Sequence, residues 1–269
     1  MCYPMAPPMA ERSMPEAIIV RDLLKRFGDV TAVDGVSFAV AAGSTTALLG
    51  GNGAGKTTTI SMLLGVLLPS SGEITVLGED MLAHRYRVLP RMNFTSPYVD
   101  LPKKLTVEEN LMVFAGLYGV RRARHRIAEL VTELDLGGFA KRPYGNLSAG
   151  QRTRVSVAKA LLNKPDLVLL DEPTASLDPD MGDRVRTYLM HYQKTTGATL
   201  LIASHNMAEV ERMCDNVLMM RGGHIVDRGS PDELIGRFGR ESMEEVFLDV
   251  ARARHHDSPS RAGAAPGES

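Results

Sequence analysis

Residues 50 to 57 read Gly50-Gly51-Asn52-Gly53-Ala54-Gly55-Lys56-Thr57, with the apolar run Ala47-Leu48-Leu49 before them and the segment from Thr58 to Leu68 after. This is the pattern G-x-x-x-x-G-K-[ST] in the setting it needs, a buried strand on one side and a helix on the other. The glycines let backbone N–H groups turn inward around the β- and γ-phosphates of a nucleotide, and the helix that opens at Thr57 and Thr58 adds its positive end. Lys56 supplies a point charge and Thr57 a hydroxyl suited to Mg²⁺. A glycine turn with a surface lysine is the bland alternative, and the flanking strand and helix speak against it.

Other β-rich runs alternate with helical patterns. They are Ile18 to Val20, Val36 to Val40, Thr45 to Leu49, Ile74 to Leu77, Leu167 to Leu170 and Thr199 to Ala203. Two of them are almost purely apolar, as strands covered on both faces are. An α/β sheet follows. Between residues 97 and 163 the strand signal gives way to helical periodicity, opened by Thr106-Val107-Glu108-Glu109, a capping box. That stretch reads as a helical insertion. Near the end, Val217 to Arg221 and His224 to Arg228 flank Gly222-Gly223, the turn of a tight hairpin.

Residues 1–15 carry four prolines among alanines and methionines, and residues 251–269 are polar, small and aperiodic, so both read as disordered and leave 16–250 as one folded unit. With 31 basic against 32 acidic side chains the net charge is −1, which disfavours a nucleic-acid binder. The two cysteines, Cys2 and Cys214, make no disulfide framework and no zinc spacing, which fits a reducing, cytoplasmic compartment. No apolar run approaches the ~18 residues that span a bilayer, so a membrane role has to come through a partner. The methionines, Met213, Met219 and Met220 among them, read as flexible core filling. The basic run Arg121-Arg122-Ala123-Arg124-His125-Arg126 has no interleaved aromatics and reads as a solvated helix start without a site.

Leu167-Val168-Leu169-Leu170 runs into Asp171 and Glu172. Side chains alternate along a strand, so the two carboxylates point differently and take different tasks: Asp171 in the Mg²⁺ shell, Glu172 polarising the water that attacks the γ-phosphate. A helix-capping carboxylate is the plain alternative. Leu147-Ser148-Ala149-Gly150-Gln151 precedes that strand and opens a helix. Ser148 and Gln151 make a capping box by spacing, and the same helix start is also an anion site.

The phosphate loop, the Leu-Ser-Ala-Gly-Gln pentapeptide, Leu-Leu-Asp-Glu-Pro-Thr-Ala-Ser-Leu-Asp and Ala-Ser-His occur in the order and approximate spacing of the ATP-binding subunit of ABC transporters, and the resemblance covers nearly all of residues 18 to 234. It implies a P-loop NTPase core with a parallel sheet, an antiparallel β subdomain and an inserted helical subdomain. It implies ATP as ligand with Mg²⁺, an ATPase activity, and a head-to-tail dimer in which the phosphate loop of one subunit faces Ser148, Gly150 and Gln151 of a second, identical or different, ATP-binding subunit. An integral membrane permease subunit, encoded separately, is implied as well, with this chain held at the inner face of the cell membrane. The loop around Thr95 to Lys104 is where a permease segment docks by that analogy, and a small export system fits best.

By the same resemblance Ser176 to Asp178 communicate across the dimer, His205 contacts the γ-phosphate, and Phe27 stacks on adenine. Each also has a local reading. Asp178 before Pro179 is an N-cap, His205 precedes the capping pattern Asn206-Met207-Ala208-Glu209, and Phe27 fits a buried core. There are departures from the family pattern. Gly51 stands where proline is usual, Ala149 where glycine is usual, and the glutamine that touches Mg²⁺ falls where Pro97 stands, leaving Ser96 as the near polar substitute. Two other classes share the core: a soluble ATPase acting on nucleic acid or ribosomes, which the charge balance disfavours, and an ATP-sensing module without turnover, which Glu172 and His205 speak against and the missing glutamine keeps open.

Overall fold

The structure, a computed structural model, describes residues 15–97 and 99–252. Two long strands come first, β1 (Glu16–Phe27) and β2 (Val30–Ala41), then β3 (Thr45–Leu49) and, after the glycine loop, α1 (Lys56–Leu63). The short strands β4 (Ser71–Val76) and β5 (Glu79–Asp80) lead through α2 (Met81–Val88) to β6 (Met92–Thr95). Three helices follow, α3 (Val107–Leu117), α4 (Ala123–Glu133) and α5 (Ala149–Ala160), and no strand is found between β6 and β7 (Leu167–Asp171) among the described residues. The chain ends in α6 (Pro179–Thr196), β8 (Thr199–Ser204), α7 (Met207–Met213), the hairpin β9 (Asn216–Arg221) and β10 (His224–Gly229), α8 (Pro231–Phe238) and α9 (Met243–Arg252).

The strands form two sheets. One is antiparallel in the order β2-β1-β4-β5; the other runs β10-β9-β3-β8-β7-β6, parallel throughout except for the edge strand β10. The parallel strands are apolar on both faces, and their alternation divides the core. Ala47, Leu49, Val168, Leu170, Leu200 and Ile202 join the cluster under the helical layer. Leu48, Leu167, Leu169, Leu201 and Ala203 face the other way, into the cluster shared with α1, α2 and the antiparallel sheet. Met219 and Met220 are buried as expected, one in each cluster.

Several expectations need correcting. The hairpin turn is as expected, Gly222 and Gly223 having φ of 56° and 85°, values that side chains disfavour. β1 is far longer than the apolar run 18–20, because a bulge at Asp22 (φ 46°) carries the strand past two polar residues to Phe27. β5, α2 and β6 have no counterpart among the expected elements. The tail does not begin at residue 251: α9 runs to Arg252, and Pro15 already accepts a bond from the Ala42 N–H at 2.8 Å. The expected disorder of residues 1–14 and 253–269 lies outside the described residues.

Candidate active site

The ends of β3, β7 and β8 bring the sequence-predicted groups together, at the carboxyl edge of the parallel strands. Gly53 and Gly55 take φ of 75° and 104° to bend the loop over the start of α1. Two glycines are required by packing: a Cβ on Gly50 would lie 2.4 Å from the Met220 carbonyl oxygen, and one on Gly55 2.7 Å from that of Ala32. Gly51 has open space around it, so the absent proline costs no contact. Ala54 and Gly51 close the turn with an N–H to carbonyl bond of 3.2 Å, while Gly51, Asn52, Gly53 and Thr57 are exposed and Thr58 is half-buried. Lys56 folds back on the loop, donating to the carbonyls of Gly50 at 2.5 Å and Gly51 at 3.3 Å.

Burial pushes the Lys56 ammonium below its usual range, and the negative charges of Glu172 and Asp171 oppose that shift. Both carboxylates are therefore in electrostatic reach of the loop lysine. Burial pushes the Asp171 carboxyl up, against a 3.2 Å hydrogen bond from the Ser96 hydroxyl and the charge of Lys56. Glu172 is likewise raised by burial, against its bond to His205 and the charges of His205 and Lys56. Their different directions do not come from strand alternation. Asp171 ends β7, whereas Glu172 sits at φ 49° in a left-handed turn, its N–H bonded to the Ala203 carbonyl at 2.9 Å. His205 Nδ1 meets Glu172 Oε1 at 2.5 Å.

Sequence reasoning missed what holds these loops. Asn206 does cap α7, its Oδ1 accepting from the Glu209 N–H at 3.2 Å, but the Glu209 carboxylate does not return to complete a capping box. It is 2% exposed and accepts from Thr174 Oγ1 at 2.9 Å and Ser204 Oγ at 2.7 Å, tying the loop after Glu172 to the residue before His205. No sequence signal marked it, since the spacing from Asn206 to Glu209 reads as an ordinary capping box. Asp178 caps α6 through the Met181 N–H at 3.0 Å, with Pro179 at the first helical position.

Ser148 and Gln151 form both halves of their box, at 3.2 and 3.0 Å, at the start of α5. Gly150 permits close contact there, since a Cβ would lie 3.0 Å from the Ser176 carbonyl. A cavity of about 130 Å³ separates α5 from the strand ends, lined among others by Ser96, Ala149, Arg152, Asp171 and Glu172. Among the described residues no hydrogen bond joins Ser148 to the phosphate loop of its own chain. Phe27 is not core: it is 50% exposed, with Lys25 Nζ 5.0 Å from the ring centre.

Residues 33–175 match the ABC transporter family. The chain belongs to that family. It is 37% identical over 247 residues to the Nod factor export ATP-binding protein I of Ralstonia nicotianae, covering 90% of this chain and 73% of that one. The protein of the same name from Burkholderia lata is 40% identical over 249 residues, 90% of this chain and 80% of that one. Among solved structures, an ATP-binding subunit of an ABC transporter superposes with a TM-score of 0.81 at 28% identity, covering 87% of this chain and 99% of that one. The cbiO1 protein of Clostridium perfringens, part of the transporter complex cbiONQ, gives 0.72 at 28% identity over 89% and 98%. This ABC protein is thus an ATP-binding subunit of a transporter and an ATPase, and such subunits act with membrane components. No helix among its described residues is long and apolar enough to cross a membrane.

Proposed function

We propose that this subunit pairs with a second ATP-binding subunit, clamps MgATP between the phosphate loop of one and Ser148, Gly150 and Gln151 of the other, and uses hydrolysis to drive export through a separate integral membrane permease. The observation that carries this reading is the convergence of Lys56, Asp171, Glu172 and His205 on one strand edge, with Glu172 and His205 in contact. Export is supported by the names of the Ralstonia and Burkholderia relatives. Exposed apolar side chains at Val99 and, on α3, at Met112, Val113 and Leu117 support permease docking beside the loop 95–104, which holds the subunit at the inner face of the membrane.

The loop N–H groups and Lys56 hold the phosphates, and Phe27 offers an exposed ring to the adenine. Asp171 and Thr57 provide hard oxygen donors, and Asp171 is a buried carboxylate with one oxygen taken by Ser96, a set that suits Mg²⁺. When bound, the ion neutralises charge on the phosphate oxygens. Glu172, whose basicity is raised by burial, takes the proton of the attacking water, and His205 fixes the carboxylate and reaches towards the γ-phosphate. ATP shifts the open–closed equilibrium because it touches two subunits only in the closed pair.

Glu172→Gln should slow turnover on the order of 10²- to 10⁴-fold and leave an ATP-bound dimer. Steady-state hydrolysis and light scattering with excess MgATP check both; a monomer that turns over ATP at the native rate would refute the sandwich.

A further inference from the structure

The cationic run after α3 does more than open a helix. Arg121, Arg122, His125 and Arg126 line a cavity of about 460 Å³ together with Tyr118 and, from the far end of α5, Lys164. This volume lies in the range of small-ligand sites. Among the lining residues one carboxylate, Glu129, faces these groups; it is held by Arg126 at 2.9 Å and His125 at 3.0 Å and also feels the charge of Lys164. Arg121, Arg122 and Lys164 make no ion pair and no side-chain hydrogen bond among the described residues. The chain is near neutral as a whole, so this excess of positive charge is local.

The walls are fixed in place. Arg126 is 11% exposed and donates to the Leu161 carbonyl at 2.8 Å, while its Nε is buried without a partner. Asn163, next to Lys164, donates to the Pro90 carbonyl at 3.1 Å and accepts from Asn93 at 3.0 Å. Two of these cations stand on left-handed backbone, Arg122 at φ 55° and Lys164 at φ 49°. That conformation is costly for long side chains and collects at functional sites. Here it aims cations into the same cavity from segments about forty residues apart in the chain. Arg122 also begins α4 without any side-chain cap, so the first N–H groups of that helix add to the positive field.

We propose that this cavity binds a phosphate-bearing ligand, either a free phosphorylated molecule or the phosphate of a lipid headgroup. The site is separate from the nucleotide loop. Lys164 precedes β7 and Asp171 ends it, so the length of that strand, about 13 Å at ~3.3 Å per residue, lies between them. A second anion there bears on α4 and α5, and α5 begins at Ser148.

Arg122→Asn with Lys164→Asn removes two charges and keeps residues that tolerate left-handed backbone. The full chain, saturated with a non-hydrolysable analogue of MgATP so that its phosphate loop is filled through the γ-phosphate position, is titrated with inorganic phosphate by calorimetry. It is also floated with vesicles of phosphatidylcholine alone and of phosphatidylcholine doped with phosphatidate. The expected result is binding that weakens about tenfold or more in the double variant and with added salt, while basal ATP turnover is unchanged. Phosphate binding lost in the variant identifies a free ligand; phosphatidate-dependent flotation lost in the variant, without phosphate binding, identifies a lipid headgroup. Absence of binding to either probe, or binding that the double substitution leaves intact, overturns the proposal.

Discussion

Glu209 shows how one side chain can serve a reaction it does not touch. Its carboxylate is buried and holds the hydroxyls of Thr174 and Ser204, which flank the turns that carry Glu172 and His205. Glu209→Ala strands two hydroxyls and is expected to lower the unfolding free energy by about 2–3 kcal/mol. Because those turns aim Glu172 and His205, kcat should fall more than KM changes, and Glu209→Gln, which keeps an acceptor, should recover part of both losses. Denaturant titration with steady-state kinetics checks each. The role was not legible in sequence. The spacing Asn206 to Glu209 suits a capping box, and only the packing of α7 against β8 sends the carboxylate inward. Lys56, Asp171 and Glu172 were legible because chemistry fixes their places on a strand–loop–helix frame. Ser96 was visible as a polar neighbour of the missing glutamine, but its bond to Asp171 needed coordinates.

Among the elements, β6 and α5 are joined by buried polar contacts. Thr95 and Ser156 hydroxyls meet at 2.5 Å, and Lys159 donates to the Phe94 carbonyl at 2.8 Å, its ammonium 4.9 Å from the Phe94 ring centre. Burial pushes the Lys159 pKa down from 10.5 to about 8. The unfolded chain therefore binds this proton more tightly than the folded one, and stability rises with pH as the folded state releases it first. Relative to Lys159→Met, the native protein should gain stability between about pH 8 and pH 10.5 and show a constant difference below that window, as measured by denaturant titrations across the pH range. β6 itself escaped sequence reading since four residues at a sheet edge carry no period. α2 did too, because it buries only Met81 and Val88 and bends at His84. β3, β7 and β8, buried on both faces, left continuous apolar runs that are easy to see.

For the whole molecule, the question is what Ser148 faces. Within its own chain it is an exposed capping box at the head of α5, and Ser148→Ala should cost about 1 kcal/mol as any lost cap does. Ser148→Arg should spare MgATP binding by the monomer yet prevent closure of the pair. Nucleotide titration alongside light scattering separates the two, and native turnover in that variant would reduce the serine to its capping role.

The contact between Gly50 and the Met220 carbonyl limits how this nucleotide grip can evolve. One wall of the loop is the backbone of a core strand, so no mutation that enlarges residue 50 can be accommodated by repacking a neighbour. Variation in affinity is channelled instead to Gly51, whose surroundings are vacant, and a lineage adapting to scarcer or richer fuel would be expected to change there first.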